Sequence, residues 1–306
     1  MQRICAVLVT HNRKSLLRES LLAVRAQIHP PQTILVIDNA STDGTAEMLA
    51  TQFPHVIVLN LPQNTGSSGG YRIGIDWAAR HDFDWIWTLD DDSLPHPDAL
   101  AALLKCREQF DSHMRPDLLA SKVVWTDGSL HPMNIPKPKL YDADRQFTAA
   151  AHAAMSIRFT SFVSMLVHRR VVEKYGLPLA SYFMWNDDVE YSGRILRHEF
   201  GVMAPASVVI HKTAAKHVPA ASIGGKYFYE VRNKLWIIRH STGFDRGEKW
   251  WMLRSLARRT WRHLRDTHFA GPDVRAVLRG IVAGIGPMPP EQAIAPPLPQ
   301  SRALAA

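Results

Sequence analysis

Cysteine is scarce in this 306-residue chain: Cys5 sits in an apolar run and Cys106 in a helical pattern. Two isolated cysteines so placed read as small core residues, which excludes a disulfide framework and fits a reducing compartment. Long apolar runs are also absent. No stretch approaches the roughly 20 residues that a membrane-spanning helix needs, so no crossing of a bilayer is expected. The first ten residues hold one arginine and a seven-residue run that stops at His11, with no small-residue cleavage site after it. That is short for a secretory leader, and a cytoplasmic protein is expected. No internal repeat is present, which excludes a repeat array.

Hydrophobic residues make up 46% of the chain, enough to supply a core for one large domain or two modest ones. The formal net charge is +8, and the excess is uneven: between Asp245 and Arg279 nine Lys or Arg face four acids. A basic segment of this kind suits nucleic acid, anionic lipid or an acidic acceptor, and composition alone does not choose. Through the first half, apolar runs alternate with helical patterns. Strands are expected at Ile4–Val9, Thr33–Ile37, Val56–Leu59 and Trp85–Leu89, with helices at Ser15–Ala26, Asp43–Gln52 and Tyr71–Ala79 between them. This spacing predicts an α/β fold with a mostly parallel central sheet flanked by helices. Further strands are expected at Leu118–Trp125, Phe162–His168 and Ser207–His211, and a helix at Asn186–His198. Residues 286–306, rich in Pro and Ala, read as a flexible tail.

The run Trp85-Ile86-Trp87-Thr88-Leu89 ends in three carboxylates, Asp90, Asp91 and Asp92. Like charges this close oppose one another's ionisation, so a cation is expected among them unless they are fully solvated. The carboxyl ends of strands are also where open α/β sheets bind ligands. Mg²⁺ or Mn²⁺, which takes oxygen ligands from one or two carboxylates plus substrate phosphates, fits such a strand end. The alternative is a solvated acidic turn that caps the next helix. Asp38 ends another apolar run, where an acid can accept hydrogen bonds from a ribose or base edge. The small residues from Asn64 to Gly74, Gly69 and Gly70 among them, would let backbone N–H groups approach an anion, or serve as a plain connector. They match neither a GxGxxG nor a P-loop pattern. In Trp185-Asn186-Asp187-Asp188-Val189-Glu190, the acids suit the first turn of a helix capped by Asn186. A carboxylate there could also take a proton from an attacking alcohol. Glu190 and Arg194, four residues apart, are placed to pair. His211, closing the Ser207–His211 run, is a possible metal ligand among 15 histidines. Over Glu248–His268 the residues Trp250, Leu253, Ala257, Trp261 and Leu264 follow helical spacing beside an arginine stripe. Such a helix either lies at a membrane interface or packs its tryptophans onto the domain.

Taken in order, these segments resemble glycosyltransferase family 2, the inverting transferases with a GT-A fold. Val9-Thr10-His11-Asn12-Arg13 is similar to that family's opening segment, and Asp38 through Thr45 to its nucleotide-binding turn. Asn64–Gly74 is similar to its Gly-rich loop, and Asp90-Asp91-Asp92 stands where the family carries its metal-binding Asp-x-Asp. The segment Trp185–Glu190 resembles the Trp-x-Asp-Asp-x-Glu of bacterial galactofuranosyltransferases more than the Glu-Asp-x-Asp of rhamnosyltransferases. Tyr227–Asn233 is similar to a segment found in both. The resemblance implies a nucleotide-diphosphate sugar donor, UDP- or dTDP-linked, held by Thr10, Asn12, Arg13, Asp38, Asn64, Gly69, Gly70, Asp90 and Asp91. It implies Mg²⁺ or Mn²⁺ on Asp90, Asp92 and His211. Asp188 is then the base, Asp187 a holder of acceptor hydroxyls, and Trp185 and Glu190 acceptor contacts. The implied organisation is a catalytic domain over 1–235, with a nucleotide-sugar half at 1–92 and an acceptor half at 93–235. A helical basic extension follows at 236–285. UDP-galactofuranose is the expected donor and a lipid-linked envelope glycan the acceptor; dTDP-rhamnose is the alternative. The enzyme is expected as a peripheral protein on the inner face of the cell membrane, with no nucleic acid partner.

Overall fold

A computed structural model describes residues 2–217 and 220–290. Its first half is β1 (Ile4–Thr10), α1 (Lys14–Arg25), β2 (Thr33–Asp38), α2 (Thr45–Gln52), β3 (Ile57–Asn60), α3 (Gly66–Arg80) and β4 (Trp85–Asp90). The second half continues with β5 (Ser93–Pro95), α4 (Ala99–Glu108), β6 (Leu118–Val124), β7 (Lys137–Pro138), α5 (Ala143–Ala151), β8 (Met155–Phe159) and β9 (Ser164–His168). Then come α6 (Arg169–Tyr175), α7 (Asp187–Leu196), β10 (Gly201–His211), α8 (Ala220–Ile223), α9 (Tyr227–His240), α10 (Arg246–Asp266) and α11 (Gly271–Ile285).

The strands form one sheet in the order β3-β2-β1-β4-β9-β6-β10-β8-β7, with β5 added against β10. From β3 to β4 every pairing is parallel, as strand-helix alternation requires. Beyond β4 the sheet is mixed: β9 runs antiparallel to both β4 and β6, while β6 and β10 are parallel. In the second half the strands are no longer joined by regularly spaced helices, so alternation carried no orientation signal there.

Register places the chemistry. Thr10 lies opposite Asp38, and Val9 opposite Asp90, so three strand ends share one edge. Alternate residues of β4 enter opposite cores, Ile86 on one face and Trp85, Trp87 and Leu89 on the other. Each large apolar side chain fully buried contributes about 1.5–3 kcal/mol. Two like charges about 4 Å apart cost about 4 kcal/mol at a near-surface dielectric. The strand therefore holds its acids in place despite their repulsion. Both tryptophan N–H groups are satisfied, Trp87 Nε1 by Ser164 Oγ at 2.9 Å and Trp85 Nε1 by Gln2 Oε1 at 2.9 Å. After the triplet, β5 turns back along β10 and pairs Ser93 with His211. The Lys212 N–H donates to Asp92 O at 2.9 Å. A histidine 119 positions downstream of Asp92 is thereby brought beside it.

Two elements differ from expectation. The Gly-rich stretch is helix, because α3 starts at Gly66 rather than near Tyr71. α9 also runs through residue 235, the expected end of the catalytic domain, without a break. α10 begins at a capping box in which Asp245 Oδ1 accepts the Glu248 N–H and Glu248 Oε2 accepts the Asp245 N–H. It packs through Leu256 and His263, and leaves Trp250, Trp251 and Trp261 63–66% exposed. Packing of the tryptophan stripe onto the domain is thus not what the helix does. Residues 287–290 carry no regular structure, and the rest of the expected tail lies outside the described residues.

Candidate active site

Asp90, Asp92 and His211 meet at the strand edge, with one donor atom from each within 4.8 Å of the others. His211 Nε2 is 3.0 Å from Asp92 Oδ1 and 3.8 Å from Asp90 Oδ2. Asp92 Oδ1 is buried and makes no hydrogen bond of acceptable geometry. Two carboxylates and an imidazole around an orphaned oxygen fit a first-row divalent cation, and the mixed O/N set suits Mn²⁺ at least as well as Mg²⁺. Tyr71 OH donates a short hydrogen bond to Asp90 Oδ1. Burial raises the Asp90 carboxyl, although His211 opposes it. For Asp92, burial is outweighed by His211 and Arg13, and the carboxyl is lowered.

Asp91 points the other way. Thr10 Oγ1 donates to its Oδ2 at 2.8 Å and Arg13 Nη1 to its Oδ1 at 2.8 Å; Arg13 also reaches Asp92 Oδ2 at 2.9 Å. Burial still pushes Asp91 up to about 6 against the pull of Arg13. Buried Thr10 and Asp91, with the more exposed Arg13, thus form a brace behind the cation candidates.

Asp187 and Asp188 open α7. Burial raises Asp187 to about 6, and Asp188 to about 8 with the neighbouring Asp187 charge adding to the effect. The charge on Asp90 raises both, so the acid pair lies within electrostatic reach of the strand edge. Asp187 Oδ2 is buried without a hydrogen-bond partner. The backbone leading into the pair is strained: Phe183, Trp185 and Asn186 have φ of 64°, 62° and 66°. Such left-handed conformations are costly in bulky residues and persist only where the surroundings impose them. Here Asn233 imposes them, its Nδ2 reaching the carbonyls of Tyr182, Met184 and Trp185 at 3.0, 2.7 and 2.8 Å. From the other side the Ser68 N–H donates to Phe183 O at 3.2 Å. That approach requires glycine at 66, where φ is 73° and a Cβ would lie 1.9 Å from Phe183 O.

The other expected site residues fall into two groups. Asp38 is buried and accepts the Ser41 N–H at 3.0 Å. Asn12 accepts the Thr42 N–H at 2.7 Å and so joins the turns after β1 and β2. Asn64 precedes α3, its Oδ1 accepting the N–H of Gly66, the first residue of the helix, at 2.8 Å. Trp185 is half-buried next to the acid pair. By contrast, Gly69 and Gly70 are buried inside α3, not in an open loop. A Cβ on Gly70 would lie 2.4 Å from Val9 Cγ1, so that glycine serves helix-on-strand packing rather than an anion cradle. Glu190 is also displaced from its expected role as an acceptor contact. Two residues after Asp188 it lies on another face of α7, where Arg194 Nη2 meets it at 3.1 Å and Ser241 Oγ at 3.0 Å. It is a buried structural pair of the i,i+4 kind.

Sequence reasoning missed Tyr71, Asn39 and Asn233. Asn39 joins the turn after β2 to α3, accepting the Thr65 N–H at 2.8 Å and donating to Gly66 O at 2.7 Å. Asn233 stood inside the Tyr227–Asn233 segment, yet no sequence signal links it to a loop 48–51 residues earlier.

A parallel first half, a mixed second half and acids at their junction are the arrangement of the GT-A fold. The family model described as glycosyl transferase family 2 matches residues 5–176, and the chain belongs to that family. Over 104 residues it is 38% identical to galactofuranosyltransferase GlfT1 of Mycolicibacterium smegmatis, a match that covers 34% of each chain. It is 24% identical to GlfT1 of Mycobacterium tuberculosis over 253 residues, 78% of this chain and 82% of that one. With the N-acetylglucosaminyl-diphospho-decaprenol L-rhamnosyltransferase of M. tuberculosis it shares 23% identity over 83% of this chain and 90% of the other. Among solved structures it is similar to residues 1–349 of S. aureus TarS in complex with UDP, with TM-score 0.60, 13% identity and coverage of 93% and 83%. It is also similar to the mannosyltransferase PcManGT of Pyrobaculum calidifontis in complex with GDP-Man and Mn²⁺, with TM-score 0.56, 15% identity and coverage of 93% and 86%.

Proposed function

We propose that this protein is an inverting, metal-dependent glycosyltransferase that moves galactofuranose from UDP-galactofuranose to a lipid-linked glycan of the cell envelope. The observation that carries the reading is the Asp187–Asp188 pair within electrostatic reach of the Asp90–Asp92–His211 cluster, with Asp188 pushed up to about 8. A general base works best with a pKa near the operating pH. Asp188 takes the proton of an acceptor hydroxyl as its oxygen attacks the anomeric carbon. The bond from that carbon to the diphosphate breaks, the nucleoside diphosphate leaves, and attack from the opposite face inverts the anomer. Asp187, with its unpartnered Oδ2, holds acceptor hydroxyls, and Trp185 offers a face for a sugar ring. Asp90, Asp92 and His211 would hold Mg²⁺ or Mn²⁺, which when bound offsets the charge of the departing diphosphate. Thr10, Asn12, Arg13, Asp38 and Asn64 frame the nucleotide pocket, mostly by fixing the turns that face it.

UDP-galactofuranose is favoured by the Trp185–Glu190 segment and by the relatives named galactofuranosyltransferases. A dTDP-rhamnose transferase is the second reading, supported by the rhamnosyltransferase match over most of both chains. A panel of both donors with Mn²⁺ and a lipid-linked glycan acceptor tests the choice. UDP release only from UDP-galactofuranose is expected; release of dTDP only from dTDP-rhamnose would establish the second reading. Salt-dependent oligonucleotide binding with no sugar-nucleotide binding would instead support a nucleic-acid protein.

Among the described residues no helix is long and apolar enough to cross a membrane. Peripheral contact with the cytoplasmic face is proposed on the exposed Trp250, Trp251, Trp261 and Leu253 of α10, with exposed Arg254, Arg258 and Arg262 on the same helix. Leu278, Val282 and Ile285 of α11 are exposed as well. Each basic residue near an anionic surface contributes about 1 kcal/mol, and the term is screened by salt. The protein is expected to float with vesicles containing anionic lipid at low salt, and much less with neutral vesicles. Replacing Trp250 and Trp261 by serine should reduce flotation several-fold without changing turnover on a soluble acceptor. Equal flotation of both forms would remove α10 as the contact.

A further inference from the structure

We infer that Asn134 is a positioning residue that fixes the His211 ring so that Nε2 presents a lone pair between Asp92 and Asp90. This rests on reading Asp90, Asp92 and His211 as a cation site. Asn134 lies in the proline-rich loop after β6, and both it and His211 are buried, each 7% exposed. Its Oδ1 is 2.8 Å from His211 Nδ1, and its Nδ2 donates to Ser161 Oγ at 3.1 Å. In this orientation the carbonyl oxygen faces the imidazole, and a carbonyl oxygen can only accept. With Nδ1–H donated to Asn134 Oδ1, Nε2, 3.0 Å from Asp92 Oδ1, is the nitrogen whose lone pair a cation between the acids would take. The reverse amide orientation would place the proton on Nε2 and turn His211 into a donor to Asp92, unable to bind a cation there.

The loop is built to hold Asn134 in place. The His131 N–H donates to Val123 O at 3.1 Å, and the Asn134 N–H to His131 O at 3.1 Å, which ties the loop to the end of β6. The His131 ring packs 4.9 Å from the His211 ring, and its Nε2 lies 3.0 Å from Thr213 Oγ1. His211 is therefore gripped from its Nδ1 edge and from one face, and its Nε2 edge is left for the acids. Groups that orient a metal-bound histidine through its second nitrogen typically change metal affinity by about 10–100-fold when removed.

The test is titration of the full-length protein with Mn²⁺ alone, following the free-ion signal by electron paramagnetic resonance, with no sugar nucleotide present. Asn134→Leu is expected to weaken Mn²⁺ binding by about 10–100-fold. Asn134→Asp keeps an acceptor facing Nδ1 and is expected to bind at least as tightly as wild type. Asn134→Leu within twofold of wild type, or Asn134→Asp as weak as Asn134→Leu, overturns the assignment. Nitrogen resonances of the His211 ring in the Mg²⁺-loaded wild-type protein keep the proposal testable if the leucine variant does not fold. A proton on Nδ1 is expected, and a proton on Nε2 overturns it. Wild-type protein that binds no Mn²⁺ would instead remove the cation site itself, a different outcome from a wild-type site insensitive to Asn134.

Discussion

Asp188→Asn is expected to lower turnover by about 10²–10⁴-fold, the usual contribution of a positioned general base. Asparagine keeps the shape of the side chain but has no site for the acceptor proton. UDP affinity should change little, since the proposed nucleotide contacts lie at the ends of β1 and β2. The same change is expected to stabilise the protein at alkaline pH. Burial and the adjacent Asp187 raise Asp188 from 3.8 to about 8 in the folded state. A carboxyl raised on folding contributes stability that is fully present below its unfolded pKa and is lost as pH rises through the folded value. In metal-free protein that window runs from about pH 4 to about pH 8, on the cited shift. The asparagine variant has no such loss, so its Tm should exceed that of wild type at pH 8 and converge with it near pH 4. Turnover should climb on the acid side as Asp188 ionises. Because the Asp90 charge is one cause of the raised value, a cation at Asp90 should move that limb below 8. Wild-type turnover in Asp188→Asn would take the base role away from this residue.

Removal of divalent metal is expected to abolish turnover, with recovery on Mn²⁺ or Mg²⁺, and Asp92→Asn to cost about 10²–10³-fold in kcat. That range is typical for loss of one element of charge stabilisation at a leaving group. Asp92 is the most committed member of the cluster: buried, held by Arg13 on Oδ2, and with Oδ1 next to His211 and otherwise unbonded. In the variant, Arg13 keeps Asp91 as a partner, so the brace behind the site should survive. Binding also has a stability readout. Mn²⁺ at 100 times its Kd adds about 2.7 kcal/mol to folding, which for a chain of this size corresponds to about 4 °C in Tm. Wild type should show that rise and Asp92→Asn should not. Full activity in EDTA, or equal Mn²⁺-induced Tm shifts in the two forms, would sink the metal role.

Much of this site was legible because it lies at strand ends. A buried parallel strand shows as an apolar run, and the acids that close it stand out against that background. Hence Asp38 and Asp90–Asp92 are recognisable in the sequence as strand-end acids. Asp187 and Asp188 were legible as helix-opening acids, but so was Glu190, which has the same local signal. Its different fate depends on helical rotation against Ser241, a residue 51 positions away. The Gly-rich stretch misled for a related reason. Small residues that admit a phosphate and small residues that admit a neighbouring strand look alike in sequence, and only the contact of Gly70 with Val9 tells them apart.

Local chain chemistry was enough for the strand-helix alternation, the acidic strand end, the acid pair and the basic tryptophan-bearing helix, since each depends on residues within one or two turns of one another. It was also enough for the likeness to glycosyl transferase family 2. The partners of those groups came from the packed fold: His211 carried to Asp92 by β5 and β10, Arg13 and Thr10 turned onto Asp91, Asn233 pinning the strained approach to Asp187, and Asn134 behind His211. Those contacts join residues tens of positions apart, through hydrogen bonds whose geometry exists only once the sheet has closed.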